Sequence, residues 1–273
     1  MNLTTLSPGL RCVAPLLILL GGCSGLKPTV IKTFPDTPSA VAQVKAGKVD
    51  AVIGDYPVMA YMARESVGRL EVAGTQFDTG TYGIAVSKQA AELHAATIMA
   101  LRATVDDGTY LGILNTWAIH QGKIDPPGAD GQSEKKDAAV QLGDGTLDVG
   151  VELSFAPMEF EEMGKEAGAD VELARALAKQ MGVEVAFKNM PFDDLLTAVE
   201  NGQVDIAMSS ITITEERKQL VDFVPYMEAG SGILVKKGNP SGILRLADLC
   251  DKTVALQEGT SQVATVEAVK CEQ

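Results

Sequence analysis

The chain has 273 residues, 46% hydrophobic and 22% charged, with a formal net charge of −13. That length buries a real core, in one large domain or two modest ones, and the negative balance argues against nucleic acid, whose phosphates demand Lys- and Arg-rich faces. Only two histidines occur, His94 and His120, neither with Cys or His at metal-ligand spacing, so no metal or cofactor is expected.

Residues 1–23 read as a targeting segment: Arg11, an apolar run from Val13 to Leu20, then small residues before Cys23. The run is too short for a hydrocarbon core that needs roughly 20 residues. "LGGC" (Leu20 to Cys23) resembles the bacterial lipobox, which would make Cys23 a lipidated anchor; an ordinary secretory signal is the alternative. The chain is therefore expected to be exported, and held at the outer face of the cytoplasmic membrane or free in the periplasm. With Cys12 and Cys23 in the leader, Cys250 and Cys271 remain as an even pair in an oxidising compartment, and a disulfide is expected.

A strand is predicted over 29–34, a helix after "PDTPS" ending at Gly47, a buried strand in "VDAVIG" and a helix in "YPVMAYMARES". "GTYGIAVSK" reads as a strand, and the stretch from Ala90 to Ile119 as two helices broken at Gly108. "DPPGADGQSEKKDAAVQ" has no apolar period and reads as a linker. Beyond it come strands in "LDVGVE", "VEVAFKNM", "VDIAMSS" and "GSGILVKKGN", helices in "ADVELARALAKQMG" and "FDDLLTAVENG", and a final turn, strand, loop and helix. Strand and helix alternate throughout, which predicts an α/β fold with largely parallel sheets.

Two stretches nearly repeat each other, "AQVKAGKVDAVIGD" and "TAVENGQVDIAMSS". In each, an amphipathic helix ends at glycine and a strand follows, delivering Asp55 in one copy and Ser209 and Ser210 in the other. Open α/β sheets bind ligands at the carboxyl ends of strands, so two such ends suggest two lobes facing one cleft. Helix, glycine, strand is also a generic α/β phrase.

The stretch from Pro191 to Asn239 resembles the signature of the extracellular solute-binding proteins of polar amino-acid ABC importers. "LDVGVELSFAPMEFEE", "KTVALQEGTSQ", "QVKAGKVDAVIGDYPVMAYM" and "YGIAVSK…LRATVDDGTYLGILNTW" resemble further parts of that family, so the likeness covers almost the whole chain outside leader and linker. It implies a two-lobed type II periplasmic-binding-protein fold, each lobe a mixed, mostly parallel sheet flanked by helices. The order departs from the family, whose last part here precedes its first. The implied organisation is a leader (1–23), part of the second lobe (24–80), hinge return and C-terminal helices of the first lobe (81–124), linker (125–145), first lobe (146–235), then hinge and start of the second lobe (236–273). A circular permutation accounts for this; a chimera whose pocket halves meet only between chains is the competing reading.

The resemblance also implies the ligand-holding groups for an amino acid. Arg217 in "SSITITEER" can hold a carboxylate by two parallel hydrogen bonds, with Ser209, Ser210 and Thr212 adding hydroxyl or backbone groups. An ion pair with Glu215 or Glu216 is the plain alternative for Arg217, and Thr212 with Glu215 also fits a T-x-x-E capping box. Thr260 and Ser261 in "EGTSQ" read as a second anion contact or simply a helix cap. Asp55 resembles the ammonium-binding carboxylate, and equally fits an N-cap of the following helix. Phe155 and Phe192 match aromatic positions that sandwich the ligand, although a lone Phe is usually core. Glu152 and Gln257 match polar positions near the ligand's ammonium and side chain; Glu152 and Met158 depart from the residues most common there. The expected function is a monomeric receptor, not an enzyme, that captures a polar or charged L-amino acid and presents it to an ABC permease, with a dehydratase-like enzyme or a non-transport sensor as alternatives.

Overall fold

A computed structural model describes residues 27–125 and 142–271. The leader with Cys12 and Cys23, and the linker over 126–141, lie outside the described residues.

The chain opens with β1 (Val30–Phe34), α1 (Thr37–Ala46), β2 (Ala51–Asp55) and α2 (Tyr56–Glu65). Local chemistry sets α1: the Asp36 side chain accepts from the Ser39 N–H at 2.6 Å, and Gly47 ends the helix at φ 71. Its buried Ala40, Val41 and Val44 pack into the core. The long β3 (Leu70–Val86), α3 (Ala91–Asp106) and α4 (Thr109–Thr116) follow, the helices parted at Gly108 as predicted. After the linker come β4 (Thr146–Val151), the short β5 (Ser154–Phe155), β6 (Glu159–Glu162) and β7 (Lys165–Ala167), then α5 (Ala169–Met181). Leu173, Leu177 and Met181 recur at helical spacing along the buried face of α5, and each contributes about 1.5–3 kcal/mol by leaving water. The chain closes with β8 (Glu184–Asn189), α6 (Leu195–Glu200), β9 (Ile206–Ala207), β10 (Asp222–Lys236), β11 (Thr253–Gln257) and α7 (Ser261–Glu267).

The main sheet runs β1-β11-β2-β10-β3-β9-β4-β8. Both flanks are parallel, β1 with β11 with β2 on one side and β9 with β4 with β8 on the other. Between them β3 and β10 pair antiparallel along almost their whole length, and each passes from one flank to the other. Register shifts interrupt that pairing between Pro225 and Ile233, where the two flanks meet. Sheet flanks and helices thus form two α/β lobes joined by two crossing strands. Among the described residues no helix is long and apolar enough to cross a membrane.

The stretch that begins at "SFAPMEFEE" forms a three-stranded antiparallel sheet of β5, β6 and β7. The strands predicted at 80–88 and 230–239 are later parts of the longer β3 and β10, whose Gly- and Thr-rich centres hide the two-residue period. "VDIAMSS" contributes only the two residues of β9 to the sheet before the chain turns at Ser210.

Cys250 and Cys271 form the expected disulfide, 21 residues apart. Nearby, the Thr29 hydroxyl donates to the Leu249 carbonyl at 3.1 Å, and the Lys27 N–H to the Asp251 carboxylate at 2.8 Å. Residues 27 and 271 therefore lie at the same edge of the second lobe.

Candidate functional site

A narrow pocket lies between the lobes, where the carboxyl ends of β2 and β11 face those of β4 and β9. Its lining includes all eleven predicted residues: Asp55, Gln257, Thr260 and Ser261 from one lobe, and Glu152, Phe155, Phe192, Ser209, Ser210, Thr212 and Arg217 from the other. Thr37, Glu159 and Gln262 also line it.

Arg217 begins a 3-10 turn, Arg217–Gln219. Its Nη1 donates to the Thr212 carbonyl at 2.7 Å and its Nη2 crosses the cleft to the Gly259 carbonyl at 2.9 Å. The guanidinium carbon stacks 5.2 Å from the Phe192 ring centroid. The nearby acid Glu215 pairs with Lys218 instead, so the local ion-pair reading of Arg217 does not describe its contacts. Nor does the T-x-x-E capping box form: the Arg217 N–H is taken by the Thr214 hydroxyl at 3.2 Å, and Thr212 bridges to Tyr82 of β3. The reason is that the chain stays extended through Thr212 and turns two residues later.

Asp55 stands at the N-terminus of α2 but makes no side-chain cap, which leaves its carboxylate to the pocket. It accepts from Gln262 Nε2 at 2.5 Å, and Gln262 also donates to the Ser231 hydroxyl at 3.2 Å. Burial pushes its pKa up to about 6, against the opposing pull of the Tyr82 hydroxyl, Gln262 and the Arg217 charge. Burial likewise lowers the Arg217 pKa, and the Asp55 charge opposes that shift.

Glu152, just past β4, is the other lobe-to-lobe link: Gln257 Nε2 donates to its carboxylate at 2.6 Å, while Gln257 Oε1 accepts from Thr37 at 2.8 Å. Burial raises the Glu152 pKa, with Gln257 and Ser154 acting against it. The Thr260 hydroxyl turns back to the Gln257 carbonyl at 2.8 Å rather than capping α7. Ser209 accepts from the Glu152 N–H at 3.2 Å and donates to Glu159 at 2.7 Å, so its hydroxyl is already engaged. Ser210 sits at φ 49 and donates its N–H to Asp170 at 2.9 Å. Phe155 is buried and lines the pocket, whereas Met158 is fully buried behind it.

The lining thus holds three carboxyl groups, Asp55, Glu152 and Glu159, against one cation, Arg217. Such a pocket can bind one carboxylate at Arg217 while favouring positive charge elsewhere in the ligand. Sequence reasoning missed Thr37, Gln262 and Glu159. Glu159 carries a legible signal, an acid set between Met158 and Phe160 in an apolar-aromatic run.

Residues 147–268 match the family of bacterial extracellular solute-binding proteins, family 3. The arginine-binding extracellular protein ArtP of Bacillus subtilis is 41% identical over 122 residues, covering 45% of this chain and 48% of the relative. The L-cystine-binding protein TcyJ of Escherichia coli is 40% identical over 119 residues, 43% of this chain and 45% of the relative. A probable histidine-binding protein of Campylobacter jejuni is 32% identical over 125 residues, 46% and 49% respectively. The chain spans about half the length of the curated relatives it matches.

Proposed function

We propose that this chain, whose residues 147–268 match the family 3 bacterial extracellular solute-binding proteins, captures a polar or charged L-amino acid between its lobes and presents it to an ABC permease. The observation that carries the reading is that Arg217 and Asp55 face one pocket from opposite lobes, one suited to a carboxylate and the other to an ammonium. Phe155 and Phe192 flank the ligand's stem, and Glu152 with Gln257 meets its side chain. With Asp55 meeting the ammonium, the Glu152 carboxyl favours a cationic side chain, in keeping with the arginine- and histidine-binding names of two relatives. A ligand touching both lobes stabilises the closed arrangement through differential contacts, and that closed form is what the permease meets. The pocket groups hold rather than react, so binding without turnover is the expected behaviour.

The segment order is read as a circular permutation, with lipidation at Cys23 or a secretory leader placing a monomer outside the cytoplasmic membrane. In support, β1 from the start of the described chain pairs with β11 from its end, and Asp55 and Arg217 reach one pocket within one chain. The chimera reading, with pocket halves meeting between chains, has no such internal pocket.

A thermal-melting screen across the common L-amino acids tests the function. A ligand at 100 times its Kd stabilises by about 2.7 kcal/mol, so a basic amino acid at millimolar concentration should raise Tm by several degrees. A flat response to all of them contradicts the reading.

A further inference from the structure

Beneath the pocket lies a buried group that ligand contacts alone do not explain. Glu159 of β6 is fully buried, its Oε1 accepts from Ser209 at 2.7 Å, and its Oε2 meets no N–H or O–H donor among the described residues. Its carboxyl meets that of Asp170, the second residue of α5. Two acceptors in contact are satisfied only if one carries a proton, and two buried carboxylates cannot both ionise cheaply.

The surroundings decide where that proton sits. Asp170 accepts from the Tyr226 hydroxyl at 2.7 and 2.9 Å and from the Ser210 N–H at 2.9 Å. It also stands in the first turn of a 13-residue helix, which favours negative charge. Glu159 has one hydroxyl donor and no such support. The titratable groups facing it are Asp170 of α5, Glu152 past β4, Tyr82 of β3 and Tyr226 of β10, and Arg217 is the one cation lining the pocket above.

We propose that Glu159 is a positioning residue: it holds a proton against Asp170, and the pair fixes the Ser209–Ser210 corner on which the ligand seats. The corner needs such support, because Ser210 holds a left-handed backbone that non-glycine residues rarely adopt. Glu159 orients the Ser209 hydroxyl, and Asp170 holds the Ser210 N–H. Burial and the Asp170 charge push the Glu159 pKa well above the usual carboxylate range, and burial raises that of Asp170 too, so the pair retains a proton more readily than two separate carboxyls would. The proposal rests on the receptor reading for its ligand, but not for its proton.

The test compares the full chain with E159Q, which keeps a donor and an acceptor in place, and with E159A. Infrared spectra at pH 7 should show a protonated-carboxyl stretch in the parent protein that E159Q lacks. Because the folded state retains a proton that the unfolded chain releases, the parent should lose stability relative to E159Q as pH rises from 5 to 8, by up to tenfold in folding equilibrium per pH unit. In calorimetry with L-arginine at pH 7, E159A should bind at least tenfold more weakly and E159Q should recover most of that loss. Absence of the band with parallel melting curves overturns the shared proton, and E159Q binding as poorly as E159A overturns the positioning role. If the parent protein binds no amino acid, the receptor reading fails, while the spectra and melting curves still decide the proton.

Discussion

Single side chains in the cleft show stability set against binding. Asp55 is buried with one amide donor and its pKa is raised from 3.8 to about 6. A raised carboxyl pKa means that its contribution to folding is present at acid pH and is lost as pH climbs from 3.8 through about 6. Asp55→Asn should therefore make the ligand-free protein more stable at pH 7, by up to about 3 kcal/mol, as read by denaturant melting. The same change should weaken amino-acid binding. In the parent protein, a proton on Asp55 competes with the ligand's ammonium, so affinity should fall by up to about tenfold per pH unit below pH 6, measured by calorimetry between pH 5 and 7.5. Arg217→Lys keeps the charge but not the fork that reaches Thr212 and Gly259, and an affinity loss of about 30- to 100-fold is expected. Gly259 has φ +72, and a Cβ there would lie 1.4 Å from Asp193 Oδ1 across the cleft. Gly259→Ala should cost about 1 kcal/mol in backbone strain and weaken binding further by holding the lobes apart.

At the level of elements, the outer flanks of the sheet were legible and its centre only in part. The helix α1 announces itself by Asp36, Pro38 and Gly47, and β4 by the unbroken "LDVGV". Only the later parts of the crossing strands β3 and β10 were legible, because "GTQFDTG" and "PYMEAG" carry small and polar residues where bulges and the lobe junction need them. The pocket was more legible than those strands, since its residues sit at strand ends inside quotable motifs. Thr37 and Gln262 join it only through tertiary contacts that no local pattern encodes. The disulfide was readable from cysteine arithmetic, and it ties the segment after α7 to the edge near β11. Replacing Cys250 and Cys271 together by alanine should lower stability by about 3 kcal/mol, seen as a shift in denaturant midpoint, with amino-acid binding retained under native conditions.

At the scale of the whole molecule, we propose that one chain, in its permuted segment order, builds both sides of an amino-acid cleft. The lobe contacts already bridge it: Gln257 to Glu152 and Arg217 to Gly259 join segments that lie far apart in the chain. If both halves come from the same molecule, ligand binding needs no second copy. Calorimetry on the purified chain, with its mass in solution measured alongside, tests this most directly. A monomer that binds one basic L-amino acid per chain is the expected result. Binding confined to a dimer, or a stoichiometry of one ligand per two chains, would contradict it.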